Sequence, residues 1–142
     1  MKKYVISTAI LFFIIGIAGC SSKVMDSKYE ESYIEFKQSY IAATDYVEKN
    51  NDLLIALSHI DNNAMGVEMK KMKNSLNGMS QYANTEGEKK ILENFTSYYK
   101  ELEYIYNVDK NRDNLTVDER RKAFEISFSA SMTRENFSTG EE

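Results

Sequence analysis

The side chains best suited to chemistry in this 142-residue chain are few and scattered. His59 is the single histidine. Acid–base or nucleophilic work by an imidazole needs a hydroxyl, thiol or carboxyl partner, and no serine stands in a Gly-x-Ser-x-Gly elbow. His59 is therefore expected at the surface near a helix end. Met65, Met69 and Met72 share one face at helical spacing. Thioether sulfur is a soft ligand suited to Cu(I), but methionines so spaced are more often core filler or an adaptable partner surface. Asp109, Asn111 and Asp113 alternate as at the start of a calcium loop, which demands Gly at the sixth place and Glu at the twelfth. Asn114 and Arg120 stand there instead. No catalytic constellation, metal site or cofactor is expected.

Contact chemistry is better represented. Arg120, Arg121 and Lys122 form a small basic cluster. It lies too early in its helix to complement the dipole, so it is either a solvated face or a docking point for an acidic partner or wall polymer. Tyrosine is amphipathic and enriched at interfaces. Tyr29, Tyr33 and Tyr40 fall on an apolar stripe and are expected in the core with their hydroxyls reaching water. Tyr46, Tyr82 and Tyr104 fall off the main stripes and are the better candidates for partner contact.

The strongest chemical signal is Cys20, the only cysteine. Lys2 and Lys3 make a basic start, Val5 to Ala18 is an almost unbroken apolar run, and Ile17-Ala18-Gly19 leads directly into Cys20. Basic region, short apolar region and small-residue cleavage site make a secretory leader. The apolar run is short of the roughly 20 residues that a spanning helix needs. The four residues Ile17-Ala18-Gly19-Cys20 resemble the lipobox of bacterial lipoproteins, with Ile where Leu is commoner. The resemblance covers about a seventh of the chain and says nothing of the family of the rest. It implies that the thiol of Cys20 receives a diacylglyceryl group, that residues 1–19 are removed, and that Cys20 becomes the first residue of the mature chain. Lys2 and Lys3 would stay on the cytoplasmic side, leaving residues 21–142 outside. Each buried CH₂ contributes about 0.8 kcal/mol and a single acyl chain holds only marginally; two chains suffice for stable attachment.

Removing 19 residues leaves 123, the size of one domain. Loss of Lys2 and Lys3 takes the balance to 16 basic against 22 acidic side chains, about −6. That argues against a nucleic-acid partner, which would call for a basic face. With Cys20 carrying lipid no thiol remains for a disulfide, so stability must come from packing. The chain lacks proline and tryptophan and is rich in Asn, Lys, Ile and Tyr. This suggests an AT-rich genome and a Gram-positive source; in a cell with two membranes the outer one is a second location.

Helical periodicity supplies the frame. Residues 20–26 read as the lipidated cysteine and a tether. Tyr29, Tyr33, Phe36, Tyr40, Ala43 and Val47 alternate 4 and 3 apart, and the phase continues through Asn50 to Leu54 and Leu57. One long helix is expected over about 27–60. A second, over about 64–83, carries Met65, Met69, Met72, Leu76, Met79 and Ala83; Gly66 and Gly78 should weaken it by up to about 1 kcal/mol each. Thr85-Glu86-Gly87-Glu88 has capping-box spacing and opens a third over about 86–107, with Leu92, Phe95, Tyr99, Leu102 and Tyr106 inward. Thr116-Val117-Asp118-Glu119 opens a fourth over about 117–132, with Val117, Phe124, Phe128 and Met132 inward. The helical domain is expected to fill 27–133, with 134–142 an acidic, disordered tail. No segment alternates with period two.

The expected architecture is all-α: a small antiparallel helical bundle with a long first helix after a cleaved leader. The expected function is that of a lipid-anchored extracytoplasmic protein, non-enzymatic, binding a protein partner at the cell surface. A concrete form, pointed to by size and anchor, is exclusion or immunity: blocking an incoming DNA-transfer or injection machine. The alternative is a lipoprotein that holds a small ligand or metal between helices.

Overall fold

The computed structural model describes residues 25–48 and 62–140. The expected leader, Cys20, Asn50, His59 and the expected continuation of the first helix over 49–60 lie outside the described residues. Among those described there are four α-helices and no strand: α1 (Ser27–Glu48), α2 (Asn62–Tyr82), α3 (Glu86–Lys110) and α4 (Val117–Thr139), with a single 3₁₀ turn at Arg112–Asn114. The fold is an all-α antiparallel bundle, as the periodicity requires.

Local chemistry sets where α3 and α4 begin. The Thr85 hydroxyl accepts from the Glu88 backbone N–H at 3.1 Å, and a Glu88 carboxylate oxygen accepts from the Thr85 N–H at 2.7 Å. The same reciprocal pair joins Thr116 and Glu119. Both boxes satisfy donors that a helix start leaves orphaned. Glu88 does more than cap. Its oxygen also accepts from the Asn84 N–H at 2.7 Å, and its carbonyl accepts from the buried Tyr29 hydroxyl at 2.9 Å. The start of α3 is thereby pinned to the start of α1.

Cross-links of this kind fix the helix directions. Glu35–Ser75 and Lys28–Tyr82 set α1 antiparallel to α2. Tyr29–Glu88 and the Tyr40–Tyr98 ring contact set α1 parallel to α3. Phe95–Phe137 with Glu101–Ser129, and Tyr40–Phe137 with Asp45–Arg134, set α4 antiparallel to both. The helices thus neighbour one another around a square, α1–α2–α3–α4, with α4 closing back onto α1.

The core follows the stripes read from α1, α2 and α3. Tyr29, Phe36, Tyr40, Ala43 and Val47 are buried, as are Met65, Met69, Met72 and Met79, and Phe95 and Leu102. Tyr33, Leu76, Ala83, Leu92, Tyr99 and Tyr106 pack partly buried around them. Phe36 stacks on Phe95 at 4.5 Å between centroids, and Phe95 on Tyr33 at 5.2 Å. Buried hydroxyls bond back to the preceding turn: Thr44 to the Tyr40 carbonyl, Ser75 to Lys71 and Ser127 to Ala123.

Three expectations need correcting, and a fourth gains a second side. Tyr29 and Tyr40 are fully buried, and the Tyr29 hydroxyl ends on the Glu88 carbonyl, not in water. Gly78 is more than a weak point: a Cβ there would fall 2.2 Å from the Ser32 hydroxyl oxygen and 3.2 Å from Ser32 Cβ. A side chain at this position would require Ser32 to turn or shift. The chain after Thr133 is not a tail. α4 runs to Thr139 and ends on Gly140 in the left-handed conformation (φ 76°) that glycine adopts without cost. Phe137 holds this last stretch by packing edge-on to Tyr40 (5.3 Å) and Tyr98 (5.9 Å), and the Arg134 guanidinium pairs with Asp45.

The last correction is the orientation of α4. Val117, Phe124, Phe128 and Met132 point outward, 81, 46, 61 and 51% exposed. The buried stripe is Ala123, Ser127 and Ala130, continued by Arg134 and Phe137. These five recur at 4, 3, 4 and 3, the spacing of a packed face. Small side chains let α4 sit close to its neighbours, so the small-residue face turns inward and the bulky one is left outside.

Candidate functional site

The exposed face of α4 is the candidate site, because among the described residues it is the one place where several large apolar side chains of one element face solvent together. Phe124, Phe128 and Met132 follow at i, i+4 and i+8, and Val117 continues the row one turn further from Phe124 than Arg121 does. A step of four residues advances about 40° around the helix, so the row winds slowly but stays on one side. The elements beneath it are firm. Its helix is capped at both ends, and its opposite face is buried against α3 and α1.

The residues singled out from sequence are divided by the fold. Tyr104 and Lys122 meet at the α3–α4 seam, while Arg120 and Arg121 lie on other sides of α4, successive residues being about 100° apart around a helix. Lys122 Nζ lies 4.4 Å from the Tyr104 ring centroid, a cation–π contact. Burial raises the Tyr104 hydroxyl, and the negative charge of Glu119 raises it further. Arg121 pairs with Asp118 at 2.9 Å, both well exposed. The Glu119 carboxyl sits below its usual range because it accepts from the Thr116 backbone N–H and then from its hydroxyl. Tyr46 and Tyr82 stand apart from this group. Tyr46 packs against the core near the far end of α1. Tyr82 is half-buried at the end of α2, where Lys28 lies 5.1 Å over its ring. Much of each ring is therefore engaged within the bundle.

Neither of two surface depressions takes up the ligand-binding reading. One, of about 220 Å³, lies between α3 and α4 and is lined by Ile91, Phe95, Tyr98, Thr133, Asn136 and Phe137 among others. The other is an open groove along α1 with Glu30, Glu31 and Glu35. No methionine lines either one; Met65, Met69 and Met72 lie inside the core, at most 5% exposed. Asp109 is buried in the last turn of α3, not in a loop with Asn111 and Asp113. Among the described residues no three His, Cys, Asp or Glu side chains converge as a metal set, and no helix is long and apolar enough to cross a membrane.

One titration on the α3 surface is accessible to test. The Tyr99 hydroxyl is pushed up to about 12, first by burial and then by the hydrogen bond it donates to Glu103 at 3.0 Å. An unfolded tyrosine titrates near pH 10, so between about 10 and 12 the folded state holds the proton that the unfolded state has lost. Its contribution to stability is whole below pH 10 and disappears as the pH rises through 12. Tyr99→Phe is expected to flatten the alkaline fall in stability. Urea midpoints at about pH 9 and pH 11 measure it, and an unchanged fall in the variant refutes the assignment.

The row Phe124–Phe128–Met132 was missed from sequence because bulk was taken as the mark of the inner face. The signal that could have found it is the competing stripe Ala123–Ser127–Ala130–Arg134–Phe137, which keeps the packing period while the bulky row drifts. Comparison with known proteins returns no matching family model, no matching characterised protein and no matching solved structure.

Proposed function

We propose that this chain is a lipid-anchored extracytoplasmic protein that acts without catalysis, as an interaction module. Cys20, behind Ile17-Ala18-Gly19 and a basic–apolar leader, supports lipid attachment and a position on the outer face of the cell membrane. The observation that carries the interaction reading is the apolar row on α4, left outside a bundle whose interior is already filled. Soluble surfaces seldom carry a contiguous apolar patch without a partner, and an aromatic row on a rigid helix is a low-entropy anchor for one. An exclusion or immunity role, in which the module meets an incoming DNA-transfer or injection machine, is one form consistent with the size of the chain and its anchor.

The test is site-specific photo-cross-linking of the full chain in its own cells. A benzophenone side chain at Phe128 is expected to give discrete protein adducts, while one at exposed Asn74 on α2 gives none. Equal labelling from the two positions, or none from Phe128, removes the ground for the reading.

A further inference from the structure

The outward row on α4 carries charges in a pattern that has its own symmetry. At 3.6 residues per turn, Val117, Arg121, Phe124, Phe128, Met132 and Glu135 fall within an arc of about 80°, centred about 140° from the buried stripe. Phe128 lies at the middle of that arc. Seven residues before it is Arg121, and seven after it is Glu135; four before is Phe124, and four after is Met132. All of these are exposed.

We propose that the partner of this face is a second copy of the same chain, docked α4 against α4 in antiparallel register about a twofold axis at Phe128. This rests on the reading of α4 as an interaction face and names its occupant. In that register residue 128 + k meets residue 128 − k. Phe128 meets Phe128, Phe124 meets Met132 twice, and Arg121 meets Glu135 twice. An isologous interface must be self-complementary in this way, each patch matching itself after a half-turn; a face built for an unrelated partner has no such requirement. The flanking positions agree. Arg120 falls opposite Asn136 and Glu125 opposite Ser131, so no like charges confront each other. Lys122 and Arg134, which would, sit off the face against Tyr104 and Asp45. A parallel pairing in register would set Arg121 on Arg121 and Glu135 on Glu135, and is disfavoured. The Arg121–Asp118 pair does not compete strongly. It is a solvent-exposed contact at 2.9 Å, worth little, and a guanidinium has five donors to share.

The geometry sets the strength and shape of the pair. A single helix pair buries less than the roughly 1,200–2,000 Å² of a standard stable interface, so the association is weak in dilute solution and gains where copies are concentrated on one surface. Since the two α4 helices run antiparallel, the two α1 helices do too, and copies tethered to one surface pair with their helices lying along it.

Disulfide trapping of the full chain in membranes tests the register. Phe128→Cys is expected to form a disulfide-linked dimer under mild oxidation, in excess of the wild-type band and of an Asn74→Cys control. Phe124→Cys and Met132→Cys should link poorly alone and well when the two are co-expressed. Arg121→Glu and Glu135→Arg, each in the Phe128→Cys background, should each lower the dimer yield about five- to tenfold, and the double exchange should restore it. A Phe128→Cys yield no higher than that of Asn74→Cys overturns the proposal, as does failure of the double exchange to restore what the single exchanges lose. If the benzophenone at Phe128 instead captures a different protein and never its own kind, self-pairing fails while the interaction reading stands. No adduct of any kind removes both.

Discussion

Phe36→Ala should remove about 3–5 kcal/mol of stability, the usual cost of truncating a fully buried phenylalanine. Phe36 has no exposed surface and lies against Phe95 at 4.5 Å and Tyr40 at 6.2 Å. Truncation removes its own buried area, opens a cavity between α1 and α3, and loosens a stack that adds about 0.5–1.5 kcal/mol per aromatic pair. Phe95 in turn touches Tyr33, Tyr98 and Phe137, so the loss spreads to the last turn of α4. A domain typically has only about 5–15 kcal/mol in total, and the variant should melt at much lower urea with an unchanged slope. Phe128→Ala is the counterpart. At 61% exposed, it should change the urea midpoint by the equivalent of no more than about 0.5 kcal/mol. Equal costs at the two positions would contradict the orientation of α4 and everything built on its outer face.

That contrast also shows what the sequence could and could not convey. The inward stripes of α1, α2 and α3 were legible because large side chains and the 4–3 spacing agree there: Tyr29 to Val47, Met65 to Met79, Phe95 to Leu102. The starts of α3 and α4 were legible because Thr85–Glu88 and Thr116–Glu119 make reciprocal bonds within one turn and need no tertiary context. α4 was misread because it has two faces with claims to the interior. Size favours Phe124, Phe128 and Met132; spacing favours Ala123, Ser127 and Ala130. Which face wins is decided by how near α3 and α1 can come, and that is a property of the assembled bundle. The tail was misread for the same reason. Residues 134–142 are polar on average, but Phe137 and Arg134 find Tyr40 and Asp45 nearly a hundred residues away in sequence, and such partners leave no local mark. At Gly78 the helix penalty is local and visible in the sequence, whereas the clearance it gives Ser32 is not. Of the residues named for partner contact, Tyr46 and Tyr82 are largely engaged in the bundle, and Arg121 gains its interest only from its place on a face the periodicity had assigned inward.

Cys20→Ala should abolish incorporation of labelled palmitate into this chain, an all-or-none effect larger than any change in the folded body. A thiol is the only group here that can take a thioether-linked diacylglyceryl, and Cys20 is the only thiol. Two acyl chains, at about 0.8 kcal/mol per buried CH₂, separate stable attachment from none. Membrane fractionation alone is a poor readout. An unprocessed chain keeps Val5 to Ala18, and that apolar run can hold it at the membrane. The decisive pair of measurements is label and size: the variant should carry no label and should migrate as a precursor longer by its 19-residue leader. The body should be indifferent to the change. Within the described residues the core begins at Tyr29, so far-UV circular dichroism and the urea midpoint of the variant should match those of the wild type. Labelling that survives Cys20→Ala would refute the anchor. A lost label together with a lost fold would show that residues before α1 are part of the bundle.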